Sequence, residues 1–260
     1  MQPTRRAAVA GLGVTSLAAA APAVASERPA PRLWYRQPAA EWVEALPVGS
    51  GKLGAMVFGG VANERLQLNE DTLWAGGPYE PINPEARAAL PEIRRLIAAS
   101  EYATAEALAD TKFLAQPRHQ MSYQTIGDLR LDFAGLIQPV SDYVRALDLD
   151  GAVATTQFRI DDVVHRREVF ASAPDGVIVV RLSASRARAI SVDLSFASPL
   201  KSAVVVESDG LVLSGVNESQ QGLPARLRFE CRVQVRAKGG RVCGGEDGKL
   251  RIERADEVVL

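Results

Sequence analysis

Residues Glu41–Tyr79 read EWVEALPVGSGKLGAMVFGGVANERLQLNEDTLWAGGPY, and this stretch decides the fold. It holds Trp42 and Trp74, two of the three tryptophans, and the pairs Gly59-Gly60 and Gly76-Gly77. The apolar run Ala55-Met56-Val57-Phe58 is too short and too closely bounded by glycine for a helix, which predicts a strand. Leu66-Gln67-Leu68 alternates apolar and polar and predicts a second strand, leading into Asn69-Glu70-Asp71. Two strands that run out into a polar loop rimmed by an aromatic residue make a site edge.

One competing reading of this stretch fails on context. Gly49-Ser50-Gly51-Lys52-Leu53-Gly54 fits the dinucleotide pattern G-x-G-x-x-G, with Glu70 placed for a ribose. A pyrophosphate needs the amino end of a helix directly after the glycines, whereas Ala55 to Gly60 reads as a strand and no βαβ unit surrounds it. A P-loop fails as well, because Leu53 follows Lys52 where Ser or Thr is required.

Working outward, Arg5-Arg6 followed by an Ala-rich apolar stretch and the small-residue site Ala23-Val24-Ala25 predicts a signal peptide over residues 1–25. The paired arginines suit the twin-arginine route, while Ala8, where that route often prefers a bulky residue, leaves ordinary secretion as the alternative. The expected product is exported to the periplasm or the extracellular space, with residues 26–260 as one domain. Removing residues 1–25 takes two of the 30 basic side chains and none of the 31 acids, leaving 28 against 31 and a formal charge of −3. That balance gives nucleic acid or an anionic membrane no electrostatic foothold, so neither is an expected partner. Of two cysteines, Cys231 and Cys243, a hairpin turning at Gly239-Gly240 would set Ala237 opposite Val242 and leave Cys231 beyond disulfide reach; free thiols are expected.

Asn83-Pro84 supplies a helix start, Pro91 restarts the helix, and Ile93, Leu96 and Ile97 share a face. Ser100 can cap a second helix from Glu101 to Lys112 with Ala105 and Leu108 inward, the pair packing on one side of a sheet. From Ile126 onward strands and turns dominate. Asp150-Gly151 predicts a tight hairpin between Val144–Leu149 and Ala152–Phe158, and further Asp-Gly pairs fall at Asp175, Asp209 and Asp247. Further strands are expected at Val163–Phe170, Val177–Leu182, Ile190–Phe196, Leu211–Leu213 and Arg226–Val235. The predicted fold is mainly β, a large antiparallel sandwich with a small helical insertion around residues 84–112.

Longer landmarks add a family resemblance. Glu44-Ala45-Leu46-Pro47-Val48-Gly49, Gly51 to Gly60 and Leu66 to Pro78 resemble the amino-terminal domain of glycoside hydrolase family 95, known chiefly for α-L-fucosidases. Ser122-Tyr123-Gln124, Arg145 to Asp150 and Arg167 to Ser172 continue it, so coverage runs from Leu33 to the end. Ser50 departs from the family, where Asn is common. The resemblance implies a β-sandwich followed by a helical linker, an (α/α)6 barrel and a further β-domain, with the acid and base of an inverting hydrolase in the barrel. This chain has room for the sandwich alone, truncated at its carboxyl end, so it has no catalytic residue of its own. Its expected partners are that missing barrel and, in the complete enzyme, the glycan.

Within the chain, Asn69, Glu70 and Trp74 are the candidates for a loop that borders the substrate cleft or docks the barrel. Trp34, Trp42, Tyr79 and Tyr123 could also stack on sugars, although large aromatics are more often core. Asp148 with Asp150 reads as turn chemistry, and His165-Arg166-Arg167 as a polar strand face. His119 and His165 lie far apart, no metal-ligand spacing appears and no cofactor is implied. The competing class is a stand-alone carbohydrate-binding or structural module.

Overall fold

Alternate apolar positions give the chain strands with one buried face. The first are β1 (Arg32–Tyr35), β2 (Leu46–Gly49), β3 (Leu53–Val57) and β4 (Asn63–Glu70). Helices α1 (Ala86–Ala98) and α2 (Tyr102–Lys112) precede β5 (Gly127–Asp132), β6 (Val140–Asp148), β7 (Val153–Ile160), β8 (Val163–Ser172), β9 (Val177–Ala184) and β10 (Ile190–Ala197). Then come β11 (Ser202–Val206), β12 (Gly210–Val216), β13 (Arg228–Gln234), β14 (Arg236–Lys238), β15 (Arg241–Gly244), β16 (Leu250–Ala255) and β17 (Glu257–Val259). The computed structural model describes residues 30–260 apart from 134, 137, 138 and 246, so the expected signal peptide lies outside the described residues.

One 7-stranded sheet runs β1-β6-β7-β8-β9-β17-β14, a second runs β15-β16-β10-β5-β4-β3-β2, and β11-β12-β13 form a 3-stranded third. The ladders are antiparallel, as short turns and period-2 burial require. Leu66, Leu129, Leu131, Leu194 and Ile252 of the second sheet join Leu147, Val169, Val180 and Leu182 of the first, with Leu211 and Leu213 of the third, in one apolar cluster. Each such side chain contributes about 1.5–3 kcal/mol on leaving water. The predicted β-sandwich is the observed architecture.

The glycine pattern that imitates a nucleotide loop is the β2–β3 turn. Ser50 N–H donates to the Leu53 carbonyl at 2.9 Å, and Gly49 pairs with Gly54. The left-handed residue there is Gly51, at φ 91°. Ser50 therefore needs no special backbone freedom, and its departure from Asn leaves the turn intact.

Other turns differ from expectation. The β6–β7 link is not a two-residue Asp-Gly turn: Ala152 carries the positive φ of 52°, and Asp148 Oδ1 accepts the amides of Asp150 at 3.0 Å and Gly151 at 3.1 Å. A carboxylate one residue before the loop has taken over the turn. Gly239-Gly240 makes no hairpin, because β14 and β15 belong to different sheets; Ala237 pairs with Val258 and Val242 with Ile252. The two glycines let the chain cross between layers. Cys231 and Cys243 are nevertheless free, and burial pushes the Cys231 thiol up to about 11.

The helices pack chiefly on each other rather than on a sheet face. Helix α1 runs through Pro91 without restarting, burying Ile93 and Leu96 while Ile97 stays 50% exposed. Ser100 closes α1 instead of capping α2. At φ 63° it lets Glu101 N–H reach the Leu96 carbonyl at 2.9 Å, the six-to-one bond of a left-handed helix end. Asn83 joins the helices: its Oδ1 accepts the Glu85 amide at 3.0 Å, and its Nδ2 donates to the carbonyls of Thr111 at 3.3 Å and Leu114 at 3.2 Å.

The largest correction concerns His165-Arg166-Arg167. Alternation along β8 turns only Arg166 outward; His165 and Arg167 are buried. Arg167 donates to the carbonyls of Gly60 and Val61 and to Glu64 at 3.4 Å, its guanidinium lying 3.8 Å from the Phe133 ring centroid. Glu64, on the opposing sheet, also accepts the amides of Gly59 at 2.8 Å and Arg65 at 3.0 Å. Burial pushes the Glu64 carboxyl up, with Arg167 and these amides acting against it. Arg145 does similar work from β6, donating to the carbonyls of Gln37 and Glu44 at 2.7 Å each, and Tyr143 donates to Gly59 O at 2.7 Å.

Arg167→Met should cost about 3–5 kcal/mol in urea unfolding because it strands a buried carboxylate. Arg166→Met, one position away and outward, should cost less than about 1 kcal/mol. His165 stacks on Phe158 with centroids 5.3 Å apart, and burial, then Arg167 and Arg186, hold it below its usual 6.5. The unfolded ring thus takes a proton that the folded ring refuses. Stability from this group is complete above pH 6.5 and falls as pH drops towards the folded value. His165→Gln should flatten the pH–stability curve between pH 6.5 and the carboxylate range, as measured by thermal melts.

Candidate functional site

Three segments distant in sequence meet beyond the end of β4. Trp74 to Tyr79, the stretch 115–121 that follows α2, and Arg226-Leu227 line an open cavity of about 1020 Å³. Trp74, Tyr79, Arg118, Gln120, Met121 and Arg226 form its chemically distinctive walls. Aromatic faces beside guanidinium and amide groups can hold the apolar and hydroxyl sides of a sugar, or the polar rim of a docked domain.

Local bonding explains why these residues hold still. Trp74 pairs with Tyr123 in an isolated bridge, their rings edge to face at 5.4 Å. Trp74 Nε1 donates to Asp71 O at 3.0 Å, and the Tyr123 hydroxyl donates to Glu70 O at 2.9 Å. Asn217 is the clamp: Nδ2 donates to the carbonyls of Trp74 at 2.7 Å and Gly76 at 2.6 Å, while Oδ1 accepts the amides of Arg226 at 3.0 Å and Leu227 at 3.1 Å. All four capacities of one buried amide are used. Gln124 and Glu218 exchange two further bonds, at 3.0 and 3.1 Å. The Gly76-Gly77 pair is needed here: Gly76 sits at φ 73°, and a Cβ on Gly77 would collide with the Arg226 side chain.

Of the three residues expected to share a site, only Trp74 lines this groove. Asn69 and Glu70 line a separate apolar cavity of about 700 Å³ between β4, β9 and β13. Glu70 is also occupied locally, accepting from Thr72 Oγ1 at 2.6 Å and Thr72 N at 2.9 Å. Burial acts against its charge, but the Thr72 bonds, Asp71 and Lys52 outweigh it and hold the carboxyl below the usual range. A general acid for glycoside cleavage needs the opposite shift. Trp34, Trp42 and Tyr123 are surface residues rather than core. Asn217 carries no mark in the sequence, since nothing local signals a residue whose side chain reaches carbonyls 143 and 141 positions earlier. Among the described residues no three His, Cys, Asp or Glu side chains converge on a possible metal site.

Fold and site together define a β-sandwich domain whose loops build one open groove. Residues 33–260 match the family model described as glycosyl hydrolase family 65, N-terminal domain, and the chain belongs to that family. It is 35% identical over 251 residues to alpha-L-fucosidase 2 of Arabidopsis thaliana, matching 88% of this chain and 29% of that protein. Two proteins named probable alpha-fucosidase A are also similar: one from Aspergillus niger at 37% over 148 residues, 54% of this chain and 18% of that protein, and one from Aspergillus oryzae at 30% over 242 residues, 88% and 32%. The chain thus spans a third or less of these relatives' length.

Asn217→Leu should strand four backbone groups and destabilise the domain by about 2–4 kcal/mol. Acrylamide quenching of tryptophan fluorescence should rise with it, as the Trp74 turn loosens.

Proposed function

We propose that this chain is the amino-terminal sandwich of an exported α-L-fucosidase-like hydrolase of family 95, and that it does not itself cleave glycosides. The observation that carries this reading is the match of residues 33–260 to a glycosyl hydrolase N-terminal domain, joined to relatives named as fucosidases. Inverting cleavage needs an acid and a base about 6.5–9.5 Å apart across the sugar. Family resemblance assigns both to a helical barrel beyond this domain. Glu70, held low and engaged by its own turn, is unsuited to the acid's role.

In this reading the groove at Trp74, Tyr79, Arg118 and Arg226 borders the glycan cleft or receives the barrel. Export rests on Arg5-Arg6 and the Ala23-Val24-Ala25 cleavage pattern, with the periplasm or extracellular space as destination. Residues 26–260 should leave an aryl α-L-fucoside unhydrolysed above background, by release of the aryl alcohol. Turnover by this chain would overturn the proposal. Saturable binding of a fucosylated glycan that Trp74→Ala abolishes would assign the groove to the sugar; its absence would assign it to domain docking.

A further inference from the structure

A second cavity, away from the Trp74 groove, has a different chemistry. It encloses about 310 Å³ and is lined by His165, Arg166 and Arg167 of β8, Arg186 and Arg188 of the β9–β10 link, and Arg254 of β16, with no carboxylate in its wall. The hydroxyl-bearing Ser183 and Ser191 complete the polar lining. Two of the arginines are committed elsewhere, Arg166 to Glu168 at 2.9 Å and Arg167 to Glu64 at 3.4 Å. Among the described residues Arg186, Arg188 and Arg254 have no side-chain ion pair. Asp256 is turned to backbone, accepting Arg188 N–H at 2.8 Å.

Backbone conformation points the same way. Arg188 and Arg254 are both left-handed, at φ 58° and 52°, a region that costs a side-chain-bearing residue about 1–2 kcal/mol and that glycine enters freely. Two strained arginines at one cavity make sense where the side chains are used. The three guanidiniums left without an ion pair repel one another, and a bound anion would offset that repulsion. The buried His165 feels this field too: after burial itself, Arg167 and Arg186 disfavour its protonated form.

We propose that this pocket binds a tetrahedral oxyanion of the sulfate or phosphate type, carried as an ester on a larger ligand. Guanidinium forks match such oxygens in pairs, and the volume exceeds by several fold the ~30 Å³ share of one liquid water, leaving room for the group that bears the ester. This inference stands apart from the proposed function, since none of its residues lines the Trp74 groove.

The chain has two histidines, His119 and His165, so ring-proton NMR gives a reporter and an internal reference. Sodium sulfate and a monosaccharide sulfate, each titrated against sodium chloride at matched ionic strength, should move the His165 signal saturably and leave His119 still. Tighter binding of the monosaccharide sulfate would identify the ester; equal binding of inorganic sulfate would assign the site to the free anion. Arg186→Ala with Arg254→Ala, both on exposed side chains, should weaken binding roughly tenfold or more at an unchanged melting temperature. Equal shifts in chloride, movement of both histidines alike, or full affinity in the double variant would overturn the proposal.

Discussion

A buried guanidinium reaching from one sheet to the other is the interaction on which the arrangement rests. Arg167 leaves β8, sets its guanidinium 3.8 Å from the Phe133 ring centroid and 5.1 Å from that of Phe158, and meets Glu64 and the carbonyls of Gly60 and Val61 on the opposing side. Apolar packing holds the layers together but does not fix how they are placed, because leucine contacts tolerate sliding. A charge pair with directional bonds accepts one placement only, and a misaligned layer would leave it unsolvated. Arg145 and Tyr143 repeat the principle from β6, two strands away in the same sheet.

That anchor sits at one end of β4 and the groove begins at the other. Glu64 and Glu70 bracket the strand, and at ~3.3 Å per residue they stand roughly 20 Å apart. A strand fixed at Glu64 delivers Glu70 to a defined point, from which Thr72 closes the turn and Trp74 meets Tyr123. Asn217 then fastens this turn to the chain beyond β12. The loops that form the groove are therefore ordered by satisfied polar bonds together with the buried Leu73, Ala75 and Met121, while Trp74 and Tyr79 stay exposed. Rigid aromatic contact of this kind suits recognition, and no carboxylate is among the described side chains that line the groove.

Local chemistry made most of the fold legible. Alternation in Leu66-Gln67-Leu68, the glycines around Lys52 and the helix signals from Asn83 all lead to the elements observed, because each depends on neighbours within a few residues. Errors arose where distant residues intervene. Arg167 reads as a surface charge until Glu64, over one hundred positions earlier, is known to face it. Gly239-Gly240 reads as a hairpin because sequence does not say that β14 and β15 enter different sheets. The candidate site was half legible for the same reason: Trp74 announces itself, whereas Asn217 and Arg226 have no local signature, and the adjacency of Asn69, Glu70 and Trp74 in sequence concealed that they face two cavities.

The Glu64–Arg167 pair holds the two sheets in register. A double-mutant cycle in urea, using Glu64→Gln, Arg167→Met and the pair together, measures that interaction apart from the cost of each change alone. A coupling energy of about 1.5–3 kcal/mol is the predicted result. Additivity within about 0.5 kcal/mol would contradict it and would leave apolar packing as what aligns the sandwich.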